Sequence, residues 1–142
     1  MKHFFVDYEN VTDAGLQGCS KLKKEDKVTI YFSDNARKVD FRTLKPMLGK
    51  IKIELWEAES GYKNALDHQL ATGLGFAIAE NRDAEYYIVS SDNAFNAVAT
   101  YWRKHNVFVK RVSNITEAVQ EKNIKYHKKN YNFFYFEKNL TY

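Results

Sequence analysis

The sequence predicts an α/β fold of three layers, in which helices cover both faces of a central parallel sheet. One observation is that apolar runs bounded by polar turns recur along the chain, and two of them, over 28–32 and 107–109, are rich in β-branched and aromatic residues. The other is that segments with helical periodicity separate these runs from end to end. Because such alternation favours helical crossovers between parallel strands, we expect one sheet that is buried on both faces.

Each element can be placed from its local pattern. Strands are predicted near residues 3–7, 28–33, 51–57, 86–91 and 107–112. Helical segments are predicted over residues 12–22, 40–48, 64–80, 94–105 and 114–121. The helix over 64–80 has the clearest pattern, because its leucines and Ile78 recur on one face at helical spacing. The segment over 40–48 contains Pro46, which we expect to bend it.

Composition limits the possible classes of function. A chain of 142 residues suits a single domain over 1–142, and no apolar stretch approaches the length that spans a membrane. The single cysteine, Cys19, cannot form an internal disulfide, so we expect a cytoplasmic protein. The sequence has no Walker motif, no GxGxxG motif and no cysteine–histidine cluster suited to zinc. Nucleotide hydrolysis, dinucleotide binding and a zinc site are therefore poorly supported.

The last part of the sequence is basic and aromatic. Residues 122–142 hold five lysines, among them Lys128 and Lys129, against a single acid, so this segment carries the whole net charge of +4. Lysines interleaved with aromatic rings are typical of a groove for single-stranded nucleic acid. The pattern also fits a last strand over 131–137 that packs on the sheet, or an exposed edge strand over 131–136 that pairs two subunits in a homo-oligomer. These alternatives stay open.

Three aspartates occupy positions that parallel topology brings to one edge of the sheet. Asp7 ends the first apolar run, Asp92 follows the fourth, and Asp67 lies in the opening turn of the most periodic helix. In open α/β sheets, ligands bind outside the carboxyl ends of the strands. Three carboxylates that converge there repel each other unless a cation is present. The pattern therefore predicts a divalent-metal site formed by these aspartates.

Each of these carboxylates also has a simpler interpretation. Asp7 and Asp92 suit the N-cap positions of helices that follow them. Asp67 could form a salt bridge with Lys63, one turn earlier. Asn10 offers an amide carbonyl that can bind a cation and an NH₂ group that can bind a phosphate. Two strand-end aspartates together with Asp67 favour the metal site over capping alone.

Three segments resemble motifs of one nuclease family. The segment over 5–11 resembles the opening D-x-x-N motif of the NYN branch of PIN-like nucleases. Residues 65–70 resemble the acidic helix of that Rossmann-like fold, and residues 87–95 resemble its later S-x-D strand end. The resemblance implies a domain core over about 1–115, followed by a basic aromatic extension over about 122–142.

The resemblance also implies an activity and a set of site residues. The chain would be an endoribonuclease that uses Mg²⁺ or Mn²⁺ to activate a water and to stabilise charge on an RNA phosphodiester, with RNA implied rather than DNA. The catalytic residues would be Asp7, Asp67 and Asp92, which are also the metal ligands, and Asn10. Polar and basic side chains would hold the substrate: Lys63, Asn64, Ser90, Ser91, Asn93, Arg37, Lys38, Arg42, Lys128 and Lys129.

Two other functions remain open at this stage. His68 follows Asp67 and Asn93 follows Asp92, whereas many relatives carry a further acid near these positions. A site with fewer acidic residues would suit a catalytically weak or inactive module that binds RNA or a protein. A haloacid-dehalogenase-type phosphatase also has an aspartate after its first strand, but it usually needs a second aspartate two residues on, where this chain has Glu9.

Overall fold

The computed structural model describes residues 1–34, 44, 49–59 and 61–120. Within these residues, five parallel strands form one sheet in the order β3-β2-β1-β4-β5. The strands are β1 (Lys2–Asp7), β2 (Lys27–Phe32), β3 (Lys52–Glu57), β4 (Glu85–Val89) and β5 (Val109–Val112). The predicted parallel sheet is therefore confirmed, and each strand lies within a few residues of its predicted bounds.

Helices connect the strands on both sides of the sheet. The described helices are α1 (Tyr8–Val11), α2 (Ala65–Glu80), α3 (Phe95–Lys104) and α4 (Ile115–Val119), with 3₁₀ turns at Thr12–Leu16 and Cys19–Lys21. The weakly helical segment predicted over 12–22 is present only as these two 3₁₀ turns, because Gly18 (φ +99°) between them adopts a left-handed backbone conformation that interrupts a helix. The helix predicted over 40–48 lies outside the described residues except for Leu44, which is helical and buried.

The central strands send alternate side chains into two apolar cores. On one face of the sheet, Phe4 and Val6 pack with Leu16 and Ile115 from the first 3₁₀ turn and from α4. On the other face, Phe5 packs with the buried side chains of α2 and α3, which are Leu66, Leu70, Leu74, Ile78, Phe95 and Ala99. The three predicted layers are thus present. Among the helices of the described residues, none combines the length and apolar character needed to cross a membrane.

This topology gives the sheet one edge at which all the strands end. Because the strands are parallel, the loops that follow β1, β2, β3 and β4 all begin at that edge, and α2 and α3 start from it. The strand order reverses around β1, which has β2 on one side and β4 on the other. Crevices at such a reversal are where ligands bind in open α/β sheets.

Gly73, in the middle of α2, is explained by the close approach of Tyr31 from β2. A Cβ atom at Gly73 would lie 2.1 Å from the Tyr31 hydroxyl oxygen, whereas a Cβ atom at Gly75 would lie 3.3 Å from the Trp102 ring. We expect Gly73→Ala to lower the free energy of unfolding by about 1–3 kcal/mol because of this overlap. Gly75→Ala should be nearly neutral, because its gain in helix propensity offsets the tighter ring contact. Urea unfolding of both variants measures the difference.

A second substitution at the contact provides the control. Tyr31→Phe removes the overlapping hydroxyl, so the double variant with Gly73→Ala should recover most of the lost stability. Equal stabilities of Gly73→Ala and Gly75→Ala would contradict the packing of α2 on β2 described above.

Candidate metal centre

A cleft of about 390 Å³ lies at the carboxyl edge of the sheet. Residues after β1, β2, β3 and β4 and residues of the first turn of α2 line it. Five of the lining side chains are carboxylates, namely Asp7, Glu9, Glu59, Asp67 and Asp92. No lysine or arginine is among the described residues that line the cleft. The cleft is therefore negative, and a polyanion would need a bound cation to enter it.

Asp7 is the most buried of these carboxylates, with 4% of its surface exposed. It ends β1, where it accepts hydrogen bonds from the Asn10 backbone N–H (3.4 Å) and from the Ser90 hydroxyl (2.9 Å). Burial raises its pKa to about 6, and repulsion from Asp67 and Glu9 adds to the rise, although the hydrogen bond from Ser90 opposes it. The negative charge of Asp7 therefore lowers the stability of the folded protein unless a counterion is bound nearby.

Asp92 lies in the loop between β4 and α3. One of its carboxylate oxygens accepts a hydrogen bond from the Ala94 backbone N–H at 2.9 Å, and its own backbone N–H donates to the Ser90 hydroxyl oxygen at 3.1 Å. Asp7 is the N-cap of α1, as the simpler interpretation predicts, and it also lines the cleft. The N-cap of α3 is Ala94, so the capping predicted for Asp92 is wrong, although Asp92 lines the cleft as well. Capping and a place in the cleft are compatible.

Asp67 faces these two carboxylates from the first turn of α2. It is half-buried, and its pKa is raised by burial first and then by the charges of Asp92 and Glu9. Lys63 is exposed, and no ion pair joins it to Asp67 among the contacts of the described residues. The predicted salt bridge is therefore absent, and the charge of Asp67 is directed at the other acids of the cleft.

Ser90 and Asn10 hold the two strand ends together. Ser90 is fully buried, and its hydroxyl connects Asp7 to the backbone of Asp92. The Asn10 side-chain oxygen accepts a hydrogen bond from the Ser91 backbone N–H at 2.8 Å, across 81 residues of sequence. Ser90 thus positions acidic groups inside the protein, and the carbonyl of Asn10 is engaged in holding the loop after β4.

Arg111 reinforces the same loop from β5. Its guanidinium donates hydrogen bonds to the Ser90 backbone carbonyl and to the Asn96 side-chain oxygen, each at 3.0 Å. Sequence reasoning did not identify this residue, because an arginine within a strand carries no signal of a contact with a distant loop.

The remaining predicted site residues fall into three groups. Asn64 lines the cleft, as predicted. Lys63, Ser91 and Asn93 are exposed and are not among the residues that line it. The basic residues Arg37, Lys38, Arg42, Lys128 and Lys129 lie outside the described residues.

Sequence reasoning missed part of the cleft. Ser33 and Glu59 line it from the loops after β2 and β3, and Tyr62 lines it from the segment before α2. Ser33 and Glu59 stand at strand ends in the same way as Asp7, so the rule that identified Asp7 would have found them if it had been applied to every strand.

The chemistry of the donor atoms fits a divalent cation. Carboxylate oxygens are the ligands that Mg²⁺ and Mn²⁺ prefer, and a cation would relieve the repulsion that raises the pKa values of Asp7 and Asp67. Among the described residues, however, no three histidine, cysteine, aspartate or glutamate side chains are close enough to hold one ion. Since Mg²⁺ usually binds one or two carboxylates and keeps several waters, two of these acids would be enough to hold it.

Comparison with known proteins identifies a family but no individual relative. No curated protein and no solved structure matches the chain. The family model that matches, described as PIN domain, covers residues 1–112, which extend from the start of β1 to the end of β5. Members of this family are usually nucleases that need a divalent metal. The parallel sheet and the match over most of its length show that the chain belongs to the PIN domain family.

Proposed function

We propose that the protein is a divalent-metal-dependent endoribonuclease of the NYN type, which hydrolyses phosphodiester bonds of RNA. One observation carries the proposal: Asp7, Asp67 and Asp92 come from three separate elements and line one cleft that has no lysine or arginine among its described lining residues. Burial, and after it repulsion from other acids of the cleft, raises the pKa values of Asp7 and Asp67, and a bound cation would relieve that repulsion. The choice of RNA rests on the resemblance of the three motifs to NYN nucleases.

Some residues of the cleft would bind the ion, and others position those that bind it. Asp7 would hold the ion together with Asp67 or Asp92, and Ser90 orients Asp7 through its hydroxyl. Asn10 fixes the loop that carries Asp92, so that the two strand ends keep their spacing. When bound, Mg²⁺ or Mn²⁺ supplies Lewis acidity that activates water and stabilises charge on the phosphate.

The proposal is tested by cleavage of end-labelled single-stranded RNA and DNA of the same sequence, with Mg²⁺, Mn²⁺ or EDTA. We expect cleavage of RNA with either metal and no cleavage in EDTA. The cleavage rate of Asp92→Asn should be at least about 100-fold lower than that of wild type, because an interaction worth several kcal/mol to the transition state is removed. Glu25→Gln is the matched control, since Glu25 is an exposed acid in the turn before β2, at the opposite edge of the sheet. Activity that survives Asp92→Asn would contradict the proposed site.

A binding module without catalysis is the second candidate. The observation that favours it is the absence, among the described residues, of three acids close enough to share one ion. In that case, folded wild-type protein would bind RNA equally well with metal or with EDTA and would cleave it under neither condition. The phosphatase alternative receives no support from the family to which the chain belongs.

Four predictions about the protein stay predictions. Residues 122–142 lie outside the described residues, so the proposed roles of their lysines in RNA binding and of residues 131–136 in homo-oligomerisation rest on the sequence. The extent of the single domain over 1–142 and the cytoplasmic location also rest on the sequence. Solution mass at micromolar concentration tests the oligomer directly.

A further inference from the structure

The end of the cleft away from Asp92 contains a buried hydroxyl group that has no hydrogen-bond partner among the described residues. Ser33, directly after β2, is only 7% exposed, and its Oγ atom has no hydrogen-bond partner among the residues that the structure describes. Other buried hydroxyls differ: Ser90 bonds to Asp7, and Thr29 bonds to His3 at 2.8 Å. A buried polar group without a partner is costly, so its presence in a cleft indicates that a ligand supplies the partner.

Ser33 lies next to the acidic centre. Asp7 pairs with Tyr31 in the register of β1 and β2, so Ser33 stands two residues beyond Asp7's partner on the neighbouring strand. Adjacent strands are about 4.8 Å apart. The distance between a group bound at Ser33 and a phosphate bound at Asp7 is therefore no longer than one nucleotide.

Two further lining residues suit a neutral, flat ligand. Tyr62 lines the cleft with 73% of its surface exposed, so its ring is free to stack on a base. Asn64 also lines the cleft, and its side chain does not cap α2, although the residue occupies the N-cap position. Glu59 adds a carboxylate, and the described lining residues include no lysine or arginine, so the cleft repels phosphate in the absence of a cation.

We propose that Ser33, Tyr62 and Asn64 form a nucleoside subsite, in which an unstacked base lies on the Tyr62 ring and the ribose hydroxyls bond to Ser33. The proposal rests on the nuclease function, because it places the nucleoside beside the phosphate that the carboxylates would bind through a cation. A serine hydroxyl both donates and accepts, which matches a ribose 2′-hydroxyl, a group that DNA lacks. The subsite would thus contribute to a preference for RNA.

The test uses an uncharged probe that no nuclease can cleave. The fluorescence of 2-aminopurine riboside and of its 2′-deoxy form, each quenched by stacking, is titrated with the full chain. For the riboside, we expect about ten-fold weaker binding in Tyr62→Ala and about three-fold weaker binding in Ser33→Ala. The deoxyriboside should bind wild type more weakly and should not respond to Ser33→Ala.

Two controls separate this role from a structural one. Phe76→Ala removes an aromatic ring that is 69% exposed near the other end of α2, and it should bind the riboside as wild type does. Ser33→Ala removes an unsatisfied polar group, so its Tm without ligand should be equal to or above that of wild type. A lower Tm would show that the hydroxyl stabilises the fold and would overturn its assignment to a ligand.

The outcomes for the subsite and for the nuclease are distinguishable. No quenching by wild type at millimolar protein, or equal affinities of Tyr62→Ala and Phe76→Ala, would overturn the subsite even if metal-dependent RNA cleavage is observed. Quenching that depends on Tyr62 and Ser33 in a protein that cleaves nothing would uphold nucleoside binding and overturn the nuclease.

Discussion

Replacement of Asp7 by asparagine is expected to make the metal-free protein more stable and to abolish RNA cleavage. At pH 7.5 the carboxylate is ionised in a buried place, at a cost that its pKa of about 6 reflects. A neutral amide of the same shape avoids that cost, and we expect a gain of about 1–2 kcal/mol, after a discount for screening by solvent in the cleft. Cleavage should fall at least about 100-fold, because the most buried of the proposed metal ligands is lost.

The pH dependence of this gain identifies its cause. The folded-state pKa of Asp7 lies above its unfolded value of 3.8. Between pH 4 and 6 the folded state therefore binds more protons than the unfolded state. For this reason the free energy of unfolding of wild type falls as the pH rises through this range. The advantage of Asp7→Asn should therefore vanish near pH 4. Thermal unfolding of both proteins in EDTA, from pH 4 to 7.5, measures this difference in stability. A variant that is less stable than wild type at pH 7.5 would show that Asp7 has a mainly structural role as a cap.

Addition of Mg²⁺ or Mn²⁺ is the second large effect. At a metal concentration of about ten times the Kd, binding to the folded state alone adds ~1.4 kcal/mol, which corresponds to a rise in Tm on the order of 4 °C for a domain of this size. The rise should be larger at pH 7.5 than at pH 5, because protons compete for Asp7 at the lower pH and the pKa of Asp67 is raised as well.

Variants at the same and at the opposite edge of the sheet control for non-specific effects of salt. Asp7→Asn should lose most of the metal-induced rise, whereas Glu25→Gln, before β2, should keep it. Equal rises in wild type and Asp7→Asn would mean that the cation binds elsewhere.

The fold was predictable because its signals are local and repeated. The runs that became β1 and β4 contain consecutive large apolar residues, Phe4 to Val6 and Tyr86 to Val89, and these strands are buried on both faces, as parallel central strands must be. The stripe of Leu66, Leu70, Leu74 and Ile78 identified α2 and its buried face. Parallel topology then placed Asp7, Asp67 and Asp92 at one edge without any distance information.

The parts that failed depend on backbone details and on contacts between distant residues. The region after α1 has helix-forming residues, but the left-handed conformation at Gly18 divides it into short turns. The hydrogen bonds from Ser90 to Asp7 and from Ser91 to Asn10 join residues more than 80 positions apart, and no periodicity encodes them. The position of Ser33 at a strand end is visible in the sequence, but the missing hydrogen-bond partner of its hydroxyl among the described residues is not.

The most direct test of the metal centre is the broadening of backbone amide signals by substoichiometric Mn²⁺ in the NMR spectrum of the wild-type protein. If the acidic cleft holds the ion, broadening will be strongest for residues 7–10, 65–68 and 91–94, which converge at the carboxyl edge of the sheet, and it will be lost in Asp7→Asn. Broadening centred on the opposite edge of the sheet, or uniform broadening that Asp7→Asn leaves unchanged, would contradict a catalytic metal centre in this cleft.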